Sequence, residues 1–481
     1  MSISQSLNNA ASGLTANARM AEVVSSNLSN ALTDGYGRRV LAVSSQQVGG
    51  SSAGVKIDGV VRVVDRGIIS ERRLADAAMG GADRTVDTLA RIETAFSPPD
   101  DPAGVGGRLV ALETALGAAA ADPASDQRLS LVVTRLNELS NGLNQAGRTV
   151  QGLRQDADAA IARDVDTLNT TLAQVQKLNK DIARMGAQGV DPSALMDQRQ
   201  LAIDKIASIV PLREILQKDG AVALWSVSGA QLLDGAPAQI GFAATPTIVA
   251  DMTLAAGGLQ GLTINGQPAG TDGVGRLSGG SLGAAFALRD DTLVQAQTGL
   301  DQVAADLIVR FADPAVDPSV APGTAGLLTD GGGPHDPADI VGLAQRLSVN
   351  AAVDPTRGGA LSRLRDGVQA AATGPAGQSA QLVRFGDALT ARQSIDATIA
   401  PSSAAGQIAR VASLFASARV GGEEAQTFAT ARRDSLMASE LATGVDSDAE
   451  LQMLLRVEQA YAANAKVMET IQSLIQRLME I

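Results

Sequence analysis

Chemistry by side chains has few places to start in this 481-residue chain, which holds one histidine and no cysteine. His335 lies in Gly331-Gly-Gly-Pro-His-Asp-Pro337, so Asp336 or Asp339 could orient it in a Ser-His-Asp relay. A Gly- and Pro-rich run is a poor mount for such a relay, because catalytic groups must be held rigidly. His335 therefore reads as an exposed loop histidine. Without thiolates, and with one imidazole, a metal would depend on carboxylates. Those around Asp313–Asp317 lack EF-hand spacing. Two runs superficially resemble phosphate loops, one at Gly104-Val-Gly-Gly and one at Gly279-Gly-Ser-Leu-Gly283. Neither carries the Gly-Lys-Ser/Thr ending that grips a nucleotide, and both read as turns. Paired carboxylates of the glycosidase kind are not excluded by pattern. A sugar site, however, stacks rings on aromatics, and these are 2% of the chain. No catalytic, metal-binding or cofactor-binding constellation stands out, and none is expected.

The elements that would have to position such groups point instead to assembly. Hydrophobic residues are 45% and charged residues 19%, enough for two or three domains with real cores. The net charge of −12 disfavours phosphate backbones and anionic lipid surfaces as partners. No stretch is long and apolar enough to span a bilayer, and the first ten residues lack the pattern of a cleavable signal peptide. Export, if it occurs, would need a dedicated machine.

The clearest periodicity is at the two ends. Small or apolar positions run Ile3, Leu7, Ala10, Leu14, Asn17, Ala21, Val24, Leu28, Ala31 in alternating steps of four and three. That is the seam of a coiled coil with one polar interruption, Asn17. Ser2 with Gln5 predicts a capping box, and Asp34-Gly35 a terminating turn. The C-terminus repeats the design through Leu454, Val457, Tyr461, Asn464, Met468, Ile471, Ile475 and Leu478, behind a second predicted box of Ser447 and Glu450. Seams this narrow need partner helices, since isolated amphipathic helices are marginal in water. The partners could be each other, copies from neighbouring subunits, or an ordinary packing neighbour within one domain. Asn17 and Asn464 either fix register or face a wet channel.

Between the ends, β-like pieces are expected at 38–43 and 55–64, then helix from 68 to 96 and a loop over 97–107. A long helix follows over 129–185, with a stutter from Ala157 through Ile161 to Val165 and a possible break at Gly142, Gly147 and Gly152. A helix is expected over 192–210, β-rich sequence over 217–280, and helix over 282–311. Loop and strand should fill 313–377. Helix should then run from 380 to the end, broken at Gly421-Gly422. The fold class is thus mainly α with a β-rich inserted domain, a nested multi-domain arrangement whose terminal helices pair as a coiled coil. The domains read as 1–60 with 431–481 for terminal assembly, including a short β region. A helical body takes 61–216, 281–312 and 378–430, and a β-rich outer domain takes 217–280 and 313–377.

Several runs carry a resemblance. Asn27-Leu-Ser-Asn-Ala-Leu-Thr-Asp-Gly-Tyr-Gly-Arg38, behind Ala11-Ser-Gly-Leu-Thr-Ala16, resembles the N-terminal signature of bacterial flagellar rod, hook and hook-associated proteins. Glu458-Gln-Ala-Tyr-Ala-Ala-Asn-Ala-Lys-Val467 resembles that family's C-terminal signature. Within the family, the chain is similar to the hook-associated members at the hook–filament junction. Tyr36-Gly-Arg-Arg39, Leu178-Asn-Lys-Asp-Ile182, Leu195-Met-Asp-Gln-Arg-Gln200, Asp219-Gly-Ala-Val222, Ser348-Val-Asn350 and Asp354-Pro355 carry that likeness. It covers most of the chain and is weaker over 230–345. Gly444-Val-Asp-Ser-Asp-Ala-Glu450 departs from the family's usual run there, and the insert is short, which suggests one outer domain instead of two.

The resemblance implies a non-enzymatic structural subunit, without cofactors, that polymerises through its end helices. The expected contact residues are Ile3, Leu7, Leu14, Asn17, Val24, Leu28, Tyr36, Leu454, Val457, Tyr461, Asn464, Met468, Ile471, Ile475 and Leu478. Implied partners are further copies of itself, the hook protein FlgE below, the junction protein FlgL above, the export chaperone FlgN and the flagellar type III export apparatus. Nucleic acid and membrane insertion are not implied. The place is the extracellular flagellum. The alternatives are a hook or distal-rod subunit of the same family, or an enzyme such as a muramidase built on the axial frame with a carboxylate cleft in 217–377.

Overall fold

A computed structural model of the chain describes residues 3–48, 51–96, 101–394 and 400–480. Ser2 of the first predicted capping box, and the first four residues of the predicted 97–107 loop, lie outside the described residues. Helix α1 (Ile3–Ser29) leads into strands β1 (Arg38–Val48) and β2 (Ser51–Val63). These pair antiparallel from Arg38 opposite Val63 to Val48 opposite Ser51, with irregularities after Ala42 and after Ser45. The two β-like pieces are thus the base of one longer hairpin. The ladder continues through its Ser- and Gln-rich half, where hydrophobic alternation had given no signal.

Helix α2 (Arg66–Phe96) follows, then α3 (Val105–Ala121), the 62-residue α4 (Asp126–Ala187) and α5 (Ser193–Ile209). Helix α4 runs unbroken through Gly142, Gly147 and Gly152, where a break was possible. Gly142 and Gly147 leave room for neighbours instead. A Cβ at Gly142 would stand 3.0 Å from Arg108 Cδ, and one at Gly147 would stand 2.7 Å from Gln345 Cγ. Next come β3 (Leu212–Leu216), β4 (Val222–Ser226), β5 (Gln231–Asp234) and β6 (Ala236–Pro237) in a four-stranded sheet of sequential order. Strands β7 (Ile240–Gly241), β8 (Thr263–Ile264) and β9 (Gln267–Pro268) make a second small sheet. Helix α6 (Gly280–Ala287) passes through a π turn at Leu288–Thr292 into α7 (Leu293–Ala312).

The segment after α7 holds β10 (Leu328–Asp330), the four-residue helix α8 (Leu343–Arg346), β11 (Leu347–Val349) and the four-residue helix α9 (Arg363–Asp366). Helices α10 (Ala380–Thr390), α11 (Ala404–Ala442) and α12 (Ser447–Met479) complete the chain. Helix α10 ends at Thr390 and α11 begins at Ala404, a further interruption falls at 443–446, and Gly421-Gly422 lies inside α11. Gly422 permits contact with α2, since a Cβ there would stand 3.2 Å from Val86 Cγ2. The two helices run antiparallel from the stacked Phe96–Phe415 pair through Arg419–Glu93 to Arg72–Glu440.

Two hydrophobic clusters share α4. Its first part, Leu129 to Leu153, packs with α3, α7, α10 and the start of α11. Its later part, Ile161 to Val175, packs with α5, α6 and the strands of 212–269. The buried residues of 313–377, among them Val320, Leu327, Leu328, Leu343 and Val368, lie in the first cluster. That Pro- and Gly-rich segment is irregular because it wraps the helical body, and its buried side chains do not join those of 217–280.

Candidate assembly interface and the joint behind it

Helix α1 is held between α12 and the hairpin. Towards α12, Gly13 leaves the space that the Asn464 amide fills: a Cβ there would stand 2.9 Å from Nδ2. Towards the hairpin, Ser12 Oγ accepts the Val55 N–H at 3.1 Å. Of the expected contact residues, Val24 and Val457 are buried, and Ile471 joins them. Leu7, Leu14, Asn17, Tyr36, Leu454, Asn464, Met468 and Ile475 are half-buried, while Ile3, Leu28, Tyr461 and Leu478 are exposed. Beside that seam, α12 exposes Leu451, Leu455, Val467, Leu474 and Met479, and α11 exposes Leu414, Val420, Phe428 and Leu441. The seams bring Asn464 against Gly13 but leave most of the apolar surface of α12 facing outward.

The second predicted capping box is replaced. Asp446 caps α12, its side chain accepting the Asp448 and Ala449 N–H groups at 3.0 and 3.1 Å. Glu450 is thereby released. It is buried and takes the Arg38 Nε–H at 2.7 Å, joining α12 to the start of the hairpin.

The run from Asn27 to Arg39 forms a clasp. The buried Asn27 amide donates to Arg39 O at 2.8 Å, and its oxygen accepts the Arg39 N–H at 2.9 Å. Tyr36 Oη donates to the same oxygen at 3.0 Å, and the Arg39 guanidinium lies over the Tyr36 ring. Glycine at 37 leaves room for the Arg62 side chain, since a Cβ there would stand 2.4 Å from Arg62 Nε. Its N–H is taken by Asp197 Oδ1 at 3.0 Å, and Asp197 also accepts from Arg62 Nε at 2.6 Å and Arg39 Nη2 at 3.2 Å. A carboxylate from α5 thus pins the hairpin base to the body.

Next to this clasp, Arg72 of α2 pairs with Asp76, Asp204 and Glu440, and Arg73 pairs with Asp204 and Glu214. Burial opposes the charge on Arg72, but Asp204 and Glu440 outweigh it and raise its pKa. Burial likewise lifts the Asp76 carboxyl, against the pull of Arg72. Gln200 bridges the two networks, accepting from Arg62 and donating to Glu440 at 3.0 Å. Deeper in, Arg199 donates to Asn179 Oδ1 and Gly220 O, both at 2.8 Å, while Asn179 exchanges hydrogen bonds with Val222 N and O. The segments Leu178–Ile182, Leu195–Gln200 and Asp219–Val222 therefore meet in one polar knot.

Sequence reasoning proposed the helical seams and passed over this joint, although two signals marked it. Arg73 and Asp76 occupy the fourth and seventh positions after Ile69, where a core-facing helix should be apolar. The conspicuous runs also hold short polar residues, Asn27 and Asn179, suited to bridging backbone. Around His335, Asp336 is engaged as a cap by the Ala338 N–H at 2.9 Å, and Asp339 lies 3.4 Å from Arg346. No hydrogen bond joins His335 to either acid among the described residues. Those residues contain no group of three or more His, Cys, Asp or Glu placed to hold a metal, and no helix long and apolar enough to cross a membrane.

Residues 89–313 match the family model of the flagellar hook-associated protein FlgK helical domain. The chain is 29% identical over 332 residues to flagellar hook-associated protein 1 of Salmonella typhimurium, covering 65% of this chain and 56% of that one. Against the protein of the same name from Bacillus subtilis it is 26% identical over 235 residues, 46% of each chain. The structure of the flagellar hook junction protein FlgK from Burkholderia pseudomallei aligns with 54% of this chain and 46% of its own, at 20% identity and a TM-score of 0.45. The chain spans about half the length of the relatives it matches.

Proposed function

We propose that this chain, a relative of the FlgK-type flagellar hook-associated proteins, is a structural subunit of the junction between flagellar hook and filament. The observation that carries the reading is the state of α12. Among its 33 residues only Glu450, Val457 and Ile471 are buried, while large apolar side chains line the rest. A helix so exposed gains little from its own fold and is stabilised by neighbours along its length. Those neighbours are the α1–α12 pairs of further copies and of the adjoining subunits, the hook protein FlgE on one side and FlgL on the other. The paired ends form a coiled coil as the inner layer, the helical body surrounds it, and the strands of 212–269 face outward. The contact residues are those of the two seams together with Leu451, Leu455 and Leu474. FlgN would escort the chain to the flagellar type III apparatus, which would deliver it outside the cell. No catalytic role is proposed.

Electron microscopy of cells lacking the chain tests this. Complete hooks without filaments, with unpolymerised flagellin in the medium, are expected. Missing hooks would move the subunit down to the hook or rod, and normal filaments would overturn the proposal.

A further inference from the structure

A cavity of about 160 Å³ lies between the start of α2, the end of the hairpin, α5 and β3. Its lining presents four guanidinium groups, Arg62, Arg66, Arg73 and Arg199, against one carboxylate, Glu214. The carboxylates close by are committed elsewhere: Glu214 and Asp204 to Arg73, and Asp197 to Arg62 and Arg39. Arg199 is 6% exposed and its two hydrogen bonds go to neutral oxygens. The Arg66 side chain makes no hydrogen bond or ion pair among the described residues. Two positive charges therefore lack a carboxylate, in a chain whose overall charge is −12. Burial, reinforced by the like charges of Arg62, Arg66 and Arg73, brings the Arg199 pKa down to about 10 even with Glu214 nearby. Such a shift marks charge in want of a counter-ion.

We propose that this cavity is a binding site for a small tetrahedral oxyanion of the phosphate or sulfate class, held by Arg66 and Arg199. Guanidinium forks match two oxygens of such an ion and form charge-assisted hydrogen bonds with it. The cavity is below the ~300 Å³ from which pockets for larger organic ligands begin. Its walls belong to the joint: Arg62 binds Asp197, and Gln200 reaches Glu440 of α11. A bound anion stiffens the connection between the terminal helices and the body.

Equilibrium dialysis of the full chain against radiolabelled inorganic phosphate, up to about 10 mM at low ionic strength, tests the site. Saturable binding of one phosphate per chain is expected, displaced by sulfate and not by equal chloride. The exposed Arg66→Gln substitution should weaken it at least about tenfold, the loss of one charge-assisted contact. Arg456→Gln, on the exposed face of α12, should leave it unchanged. Absence of saturable binding would overturn the site. So would equal affinity in Arg66→Gln, or equal weakening by Arg456→Gln, which would mean attraction to general surface charge.

Discussion

Replacing Asp197 with alanine removes one acceptor from three donors at once: the Gly37 N–H, Arg62 Nε and Arg39 Nη2. The side chains involved are 13%, 11% and 18% exposed for Asp197, Arg62 and Arg39, so solvent recovers little of what is lost. Removing one partner of a buried ion pair destabilises by about 3–5 kcal/mol, chiefly through the charge left behind. Here Arg62 keeps Gln200 and the Gly35 carbonyl, and Arg39 keeps the face of Tyr36. The low end applies, about 3 kcal/mol. That loss falls on one joint and not on the whole molecule, because regions with separate cores open separately.

Hydrogen exchange followed by mass spectrometry reads such a local effect. At ~1.4 kcal/mol per tenfold, peptides within 38–48 and 51–63 should exchange about a hundredfold faster in Asp197→Ala. Peptides within 129–153, in the other core, serve as the internal reference and should not change. Asp197→Asn keeps an acceptor for Gly37 and should fall between. A fivefold change or less in the hairpin, or acceleration spread evenly over the chain, would refute the idea that this carboxylate ties the ends to the body.

Four further outcomes follow from other parts of the molecule. Burial raises the Asp301 carboxyl to about 6, against the Ala344 and Gly342 N–H groups that favour its ionised form, so the native state holds a proton that the unfolded chain releases near 3.8. Its contribution to stability is therefore complete below about pH 4 and is lost by about pH 6, at most ~3 kcal/mol, and the stability of wild type relative to Asp301→Asn should fall across that window; a difference that rises with pH would contradict this. Asp158→Ala takes from the fully buried Arg289, beside the equally buried Arg154, one of its two carboxylate partners, leaving Asp290, and should lower stability in urea by about 3 kcal/mol, a loss under 1 kcal/mol counting against it. Gly422→Leu should force α11 off Val86 and destabilise by about 1–3 kcal/mol, with faster exchange in the middle of α2 as its signature. Leu455→Lys, on a side chain 59% exposed, should change the free chain by less than about 0.5 kcal/mol yet leave cells with hooks and no filaments.

The helices were legible in sequence because their apolar positions repeat at helical spacing. Leu129 to Leu153 shows this most plainly, since every residue of that predicted seam is buried. The hairpin was half legible, as its valine-rich base alternates and its Ser- and Gln-rich tip does not. Residues 313–377 were the least legible, because irregular backbone and β-rich sequence share a composition, and only packing separates them. The joint was hidden for another reason. Asp197 and Arg62 are 135 positions apart, and no local spacing announces a pair that the chain assembles across such a loop.

The stutter in α4 shows how a sequence feature can be real and its interpretation incomplete. Two steps of four, Ala157 to Ile161 to Val165, make a stutter, which by itself predicts local unwinding of a supercoil. In an α-helix one extra residue turns the apolar stripe by about 100°. Up to Leu153 the stripe faces one hydrophobic cluster, and from Ile161 it faces the other. Between them lie Arg154 and Asp158, both fully buried, so the change of face is filled by charge where apolar packing would leave a gap. Arg154 satisfies the carbonyls of Arg289, Val249 and Met252, and Asp158 takes Arg289 and the Thr245 N–H. The π turn at Leu288–Thr292, where the facing helix makes the same crossing between clusters, supplies Arg289. Two unconnected irregularities, a skipped step in one helix and a widened turn in its neighbour, thus meet at one buried ion pair. That coincidence is what a rigid rod shared by two cores requires: if Asp158→Ala proved harmless, the polar layer would be incidental, and the stutter would need another cause.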